Sequence, residues 1–229
     1  MILVPQAQAG REGLCQPSVA TTSTYFVPSV EEVCNSSKPC SEFKKQVKLQ
    51  GSGTLPGNKL MTYQGKIIDM GDCETAKGAS GNCLIPYVSV AADPAYYQMG
   101  DIIEMPSMKG KEITLPSGRK MKHPGYFIVE DTGGAIRGRN RFDFFTGGHD
   151  MHNKHNAFGS QAPENTQMIS QDDCSSRKSF TVIRRGSSKY RQSQVAIDHS
   201  LHSAGEETVF ASNISAPSYN GSSDNFGVR

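Results

Sequence analysis

Tryptophan is absent from this 229-residue chain, and no stretch approaches the roughly 20 apolar residues of a membrane-spanning helix. Charge of one sign is also lacking: 24 Lys and Arg face 22 Asp and Glu, so the bulk charge gives no electrostatic footprint for nucleic acid. No CxxC pair occurs among the six cysteines (Cys15, Cys34, Cys40, Cys73, Cys83, Cys174), which argues against a zinc site or a thioredoxin-type redox motif. Long amphipathic helical patterns are hard to find. Apolar residues make up only 36%, while Gly, Pro, Ser and Asn are plentiful, a profile of short strands joined by many turns.

What is present fits one domain with loose ends. Residues 1–20 read as an N-terminal arm, 21–190 as the folded domain, and 191–229 as a mobile Ser/Asn/Gly-rich tail. The arm contains Ala7-Gln8-Ala9, the small-x-small form that precedes a signal-peptidase cut, and reads as a signal remnant or a flexible lead. An even cysteine set without metal spacing points to disulfides and an oxidising compartment, the alternative being reduced, buried cysteines in a cytosolic protein. The sequence does not choose among the possible pairings. Cys34–Cys40 and Cys73–Cys83 close the shortest loops and are the first candidates, which leaves Cys15 with Cys174.

Strand candidates follow at short intervals: residues 22–28, rich in β-branched and aromatic side chains, then 84–91, 101–105, 125–131, 141–145 and 180–184. Residues 42–49 fit a helix or a strand equally, and 50–58 read as a loop or hairpin. Such a series predicts an all-β fold, a closed or nearly closed barrel with long loops.

Chemistry concentrates in residues 131–147, DTGGAIRGRNRFDFFTG. Asp131 ends an apolar strand and opens a Gly-Gly turn whose backbone N–H groups can hold it ionised, whereas Asp143 lies among Phe142, Phe144 and Phe145, surroundings that favour the protonated acid. A third aspartate, Asp93, precedes Pro94 upstream. Together these segments closely resemble the 3D domain, named for its three aspartates, of lytic transglycosylases of the membrane-bound A type and of stationary-phase survival proteins. The resemblance is close over residues 88–147 and loose over 21–183.

The resemblance implies a six-stranded double-psi β-barrel and cleavage of peptidoglycan glycan strands without cofactor or metal. Asp143 then corresponds to the single acid/base, Asp131 to its support, and Asp93 to the carboxylate that orders the site. Thr132, Gly133, Gly134, Ala135 and Ile136 match the family segment, with Gly133 and Gly134 expected to permit positive φ and close approach of a sugar. In such enzymes one carboxyl protonates the leaving group and then deprotonates the C6 hydroxyl of the same sugar, closing a 1,6-anhydro ring. Two other readings stand beside this one: an inverting hydrolase using a second carboxylate to activate water, and a non-catalytic wall-binding module of the expansin kind, weakened by the missing tryptophan.

Other features are less specific. Arg137, Arg139 and Arg141 alternate and could line a groove that meets substrate carboxylates, or form a solvated strand edge. Residues 109–124 form an insertion expected to wall the groove. Tyr63, Tyr87 and Tyr126 are candidates for sugar stacking or for ordinary packing. His149, His152 and His155 fit a polar loop better than a metal centre. Three glycosylation-type sequons begin at Asn35, Asn213 and Asn220. A monomer is expected.

Overall fold

The computed structural model describes residues 19–139, 141–148, 166–169, 180–206 and 210. Cys15, Cys174, the three histidines of residues 149–155 and the sequons at Asn213 and Asn220 lie outside them.

The described chain is mostly sheet. Its main sheet has seven strands: β1 (Val19–Val27), β5 (Ser89–Ala92), β6 (Ile102–Glu104), β9 (Tyr126–Asp131), β10 (Arg141–Gly148), β11 (Thr166–Ile169) and β12 (Thr181–Ile183). Their spatial order is β11-β1-β10-β5-β9-β6-β12. Two of the ladders, β1 with β10 and β5 with β9, are parallel; the others are antiparallel. The strand count is therefore seven where six were expected, and among the described residues no ladder joins β11 to β12.

Strand alternation sorts the side chains onto two faces. Val90, Ala92, Phe142 and Phe144 belong to the larger core, with Phe127, Ile102, Ile103 and Val182. Ala91 and Phe145 belong to a second cluster with Tyr25, Val27 and Ile136. Above that second face lie a three-stranded sheet, β2 (Ser52–Leu55), β3 (Lys59–Thr62) and β4 (Ile67–Asp69), and the loop closed by a Cys73–Cys83 disulfide.

Two short helices, α1 (Val30–Cys34) and α2 (Ser41–Gln50), are tied by a Cys34–Cys40 disulfide. The undecided segment 42–49 is thus helical, because Phe43 and Val47, one turn apart, bury together against Val30. Gly53 of β2 lies so close to this pair that a Cβ there would sit 2.6 Å from Val47 Cγ2.

The insertion 109–124 is a hairpin of β7 (Glu112–Thr114) and β8 (Lys120–Lys122) that buries Ile113, Leu115 and Met121 in the larger core. Residues 84–88, expected as strand, lie outside the sheet and 86–88 form a turn: Tyr87 adopts φ +62° with its side chain in the core, and β5 starts only at Ser89.

A further correction concerns the tail. Residues 191–203, expected to be mobile, belong to α3 (Ser188–Ser203), which buries Ile197 and Leu201 against the core. Of the described helices, none is long and apolar enough to cross a membrane.

Candidate active site

One row of residues crosses four strands. Ser23 of β1 pairs with Asp143 of β10, Asp143 with Ala91 of β5, and Ala91 with Asp131 of β9. Paired residues project to one face, so the small methyl of Ala91 lies between two carboxylates. A β-bulge makes this possible: Val90 pairs with Val129, but Ala91 pairs with Asp131, skipping Glu130. Two strand spacings place the Asp131 and Asp143 Cα atoms at most about 10 Å apart.

The sheet curls toward this face. Tyr25, two residues beyond Ser23 on β1, donates its hydroxyl to Asp131 Oδ2 at 2.9 Å, although β10 and β5 lie between their strands. A flat sheet would separate β1 and β9 by about 14 Å, so curvature closes the gap. Burial, followed by the charge of Asp131, raises the Tyr25 pKa well above its ordinary value and keeps the hydroxyl a donor.

Both carboxyls are pushed upward, chiefly by burial. For Asp131 this is opposed by three donors: Thr132 N–H at 2.9 Å and Ala79 N–H at 3.0 Å on Oδ1, and Tyr25 on Oδ2. For Asp143 the opposition comes from the Ser23 hydroxyl, which donates to Oδ1 at 2.6 Å, and from the positive charge of Arg141. The Asp131 charge adds to the rise at Asp143. Arg141 in turn donates from its guanidinium to Ser23 Oγ at 2.6 Å, so arginine, serine and aspartate form a chain.

The physical cause of the Asp143 shift differs in part from the sequence reading. Phe142 and Phe144 point to the opposite face, into the larger core; only Phe145 shares the face of Asp143. Desolvation comes from the covering of the curled face rather than from both flanking phenylalanines.

Asp93 stands apart from this pair. Its Oδ1 accepts from Ala95 N–H at 3.0 Å and its Oδ2 from Gly138 N–H at 2.7 Å, with Arg137 at 3.9 Å. The Gly138 and Ala95 hydrogen bonds lower its pKa. It fastens the end of β5 to the link between Asp131 and Asp143.

In the link, Thr132 offers its N–H to Asp131, Gly134 and Ala135 are exposed, and Ile136 is buried. Gly133 and Gly134 do not adopt positive φ, contrary to expectation; Gly138 does, at +91°. Space constrains Gly133, where a Cβ would meet Ile136 Cγ1 at 3.0 Å, whereas Gly134 borders open space and nothing around it requires glycine.

The three arginines do not share a strand. Arg137 is exposed and donates to Gly134 O, Arg139 lies over the Tyr96 ring at 5.0 Å, and only Arg141 is in β10. Tyr87 is core, whereas Tyr63 is exposed and Tyr126 half-buried. Ser23, Tyr25 and Ala79, which hold the two aspartates, carry no motif. The only sequence signal for the first two was their alternate placement in a β-rich run.

Residues 88–172 match the family model of the 3D domain. That span contains Asp93, Asp131 and Asp143, so the sequence resemblance is borne out there. Comparison with curated proteins by sequence gave no match. Solved structures that resemble the chain include the Escherichia coli MltA with bound chitohexaose, at 12% identity, TM-score 0.41, 72% of this chain and 71% of that one. The membrane-bound lytic murein transglycosylase from Agrobacterium tumefaciens matches at 20% identity, TM-score 0.29, 50% of this chain and 27% of that one. The lytic transglycosylase LtgG of Burkholderia pseudomallei matches at 13% identity, TM-score 0.35, with 72% and 71% covered.

Proposed function

We propose that this protein is a peptidoglycan lytic transglycosylase, cleaving the glycan between N-acetylmuramic acid and N-acetylglucosamine with formation of 1,6-anhydromuropeptides. The observation that carries the reading is the pair Asp131 and Asp143 on one curled face, inside the span that matches the 3D domain. Asp143 is assigned as acid and then base. Burial raises its pKa, which favours the protonated acid, and it has a single hydroxyl donor to reorganise. Asp131, held by three donors, is assigned as the fixed charge supporting an oxocarbenium-like transition state.

Thr132, Gly133, Gly134 and Ala135 are assigned to the substrate groove with Arg137 and Arg141, and Asp93 to ordering its rim. Two parallel pairs among antiparallel ones, together with the curl that lets Tyr25 reach Asp131, support a double-psi barrel as the underlying plan. The two disulfides favour a periplasmic or secreted site of action.

The deciding experiment incubates purified sacculi with the protein and with Asp143→Asn, and analyses soluble products by mass spectrometry. Anhydromuropeptides from the wild type alone support the proposal. Reducing ends only would favour a hydrolase, and solubilisation unchanged by Asp143→Asn would remove Asp143 from the chemistry.

A further inference from the structure

One cavity among the described residues is lined by neither Asp131 nor Asp143. It has a volume of about 970 Å³ and lies among the disulfide loop of residues 73–83, the tip of the β7–β8 hairpin and helix α3. The insertion that was expected to wall the carboxylate groove contributes Leu115 and Pro116 to the wall of this cavity. The volume falls within the range of small-ligand sites.

Its lining is two-sided in chemistry. Leu84, Leu115 and Leu201 are apolar; Glu130, Arg185 and Tyr190 are polar. Glu130 is only 5% exposed. Its Oε2 accepts from Asn82 Nδ2 at 3.0 Å, and among the described residues no lysine or arginine forms an ion pair with it. A carboxylate with one neutral side-chain donor keeps acceptor capacity for an ammonium entering the cavity. Arg185, Glu130 and Tyr190 all line this cavity, so both charges border one ligand-sized volume.

We infer that this cavity binds a zwitterionic amino-acid group, its ammonium on Glu130 and its carboxylate on Arg185, with the apolar wall taking the aliphatic chain that bears it. The inference rests on the peptidoglycan reading for one point, the source of that group: the free amino-acid end of a diamino residue in a peptide stem. Glu130 and Asp131 are consecutive, and the loop that lines the cavity also holds Asp131 through Ala79. A stem bound here would therefore lie one residue along the chain from the cleavage site.

Calorimetry on the full chain tests this with three probes: an Ala-Glu-diaminopimelate stem peptide, the same peptide with its free amine acetylated, and free diaminopimelic acid. The stem peptide is expected to bind, and acetylation, Glu130→Gln and Arg185→Ala should each weaken it about tenfold or more. Absence of binding to the wild type, or equal binding of the acetylated peptide, overturns the inference. Should Glu130→Gln fail to fold, the acetylated peptide on wild-type protein and Arg185→Ala still decide. Tighter binding of the peptide than of the free diamino acid supports the stem as source; the reverse overturns that source. Binding is read without turnover, so its failure leaves the transglycosylase assignment standing, and inactive sacculus assays leave the cavity standing.

Discussion

Tyr25 reaches across two intervening strands to donate a 2.9 Å hydrogen bond to Asp131 Oδ2. That bond is both a measure of sheet curvature and a control on charge, since it is one of three donors that oppose the burial-driven rise at Asp131. Tyr25→Phe removes the donor and keeps the ring that packs on Phe145 at 5.4 Å. Asp131 then rises further. In its proposed role as the ionised group, it should carry the acidic limb of the kcat/KM profile to higher pH, with about a tenfold loss near that limb. A pH–rate profile that superimposes on the wild type would refute the assignment of Asp131.

Ser23 controls the other carboxyl. Its hydroxyl lowers the raised pKa of Asp143 and receives a hydrogen bond from Arg141. In Ser23→Ala the burial effect is less opposed, so Asp143 holds its proton to higher pH. With Asp143 in its proposed role as the acid, the basic limb should move up in pH, and kcat should fall about three- to tenfold from lost positioning. Ser23→Thr, which keeps a hydroxyl, should retain most of the activity. If the alanine variant shifts the acidic limb instead, the roles of Asp131 and Asp143 are reversed.

These two residues show where sequence reading reached and stopped. Asp131 and Asp143 were legible because a single local segment carries both. Ser23 and Tyr25 lie 120 and 106 residues from the carboxylates they serve, brought there by parallel pairing of β1 with β10 that no local pattern encodes. Helix α3 was missed for a different reason. Its buried side includes Ser193 and Asp198 among Ile197 and Leu201, so the apolar period is interrupted. Ser193 is made tolerable by donating back to Lys189 O at 2.8 Å. Tyr87 ended an apparent strand through a backbone conformation that tyrosine seldom adopts.

The disulfide loop should prove necessary for the site, although it lies outside the span that matches the 3D domain. Gly78 packs onto β9 so closely that a Cβ would lie 2.3 Å from Glu130 O, and the next two residues donate N–H bonds to Asp131 Oδ1 and Glu130 O. Gly78→Ala must lift the loop, withdrawing the Ala79 donor. We expect a loss of about 1–3 kcal/mol in stability from the overpacking, and activity reduced more than at the same fraction folded. Replacing Cys73 and Cys83 by alanine removes the loop closure and should cost about 2–4 kcal/mol in denaturant unfolding. Full activity in either variant would show that Asp131 does not depend on the loop.

His123 is one source of acid sensitivity in the fold. It is buried against Phe127, with Nδ1 accepting from Gly125 N–H at 2.9 Å, so Nε2 carries the proton and donates to Tyr87 O at 2.9 Å. Burial lowers its pKa from 6.5 to about 4. The folded value is depressed, so between about pH 6.5 and 4 the unfolded chain takes up a proton that the native state refuses, and stability falls as pH falls through that window. The full effect amounts to about 3 kcal/mol. Urea midpoints measured from pH 7 to 4 should decline accordingly, with His123→Gln lowering stability at pH 7 but flattening the decline. A decline of equal slope in that variant would assign the acid sensitivity to other groups; those carboxyls cannot include Asp131 or Asp143, whose raised folded values make acid favour the native state.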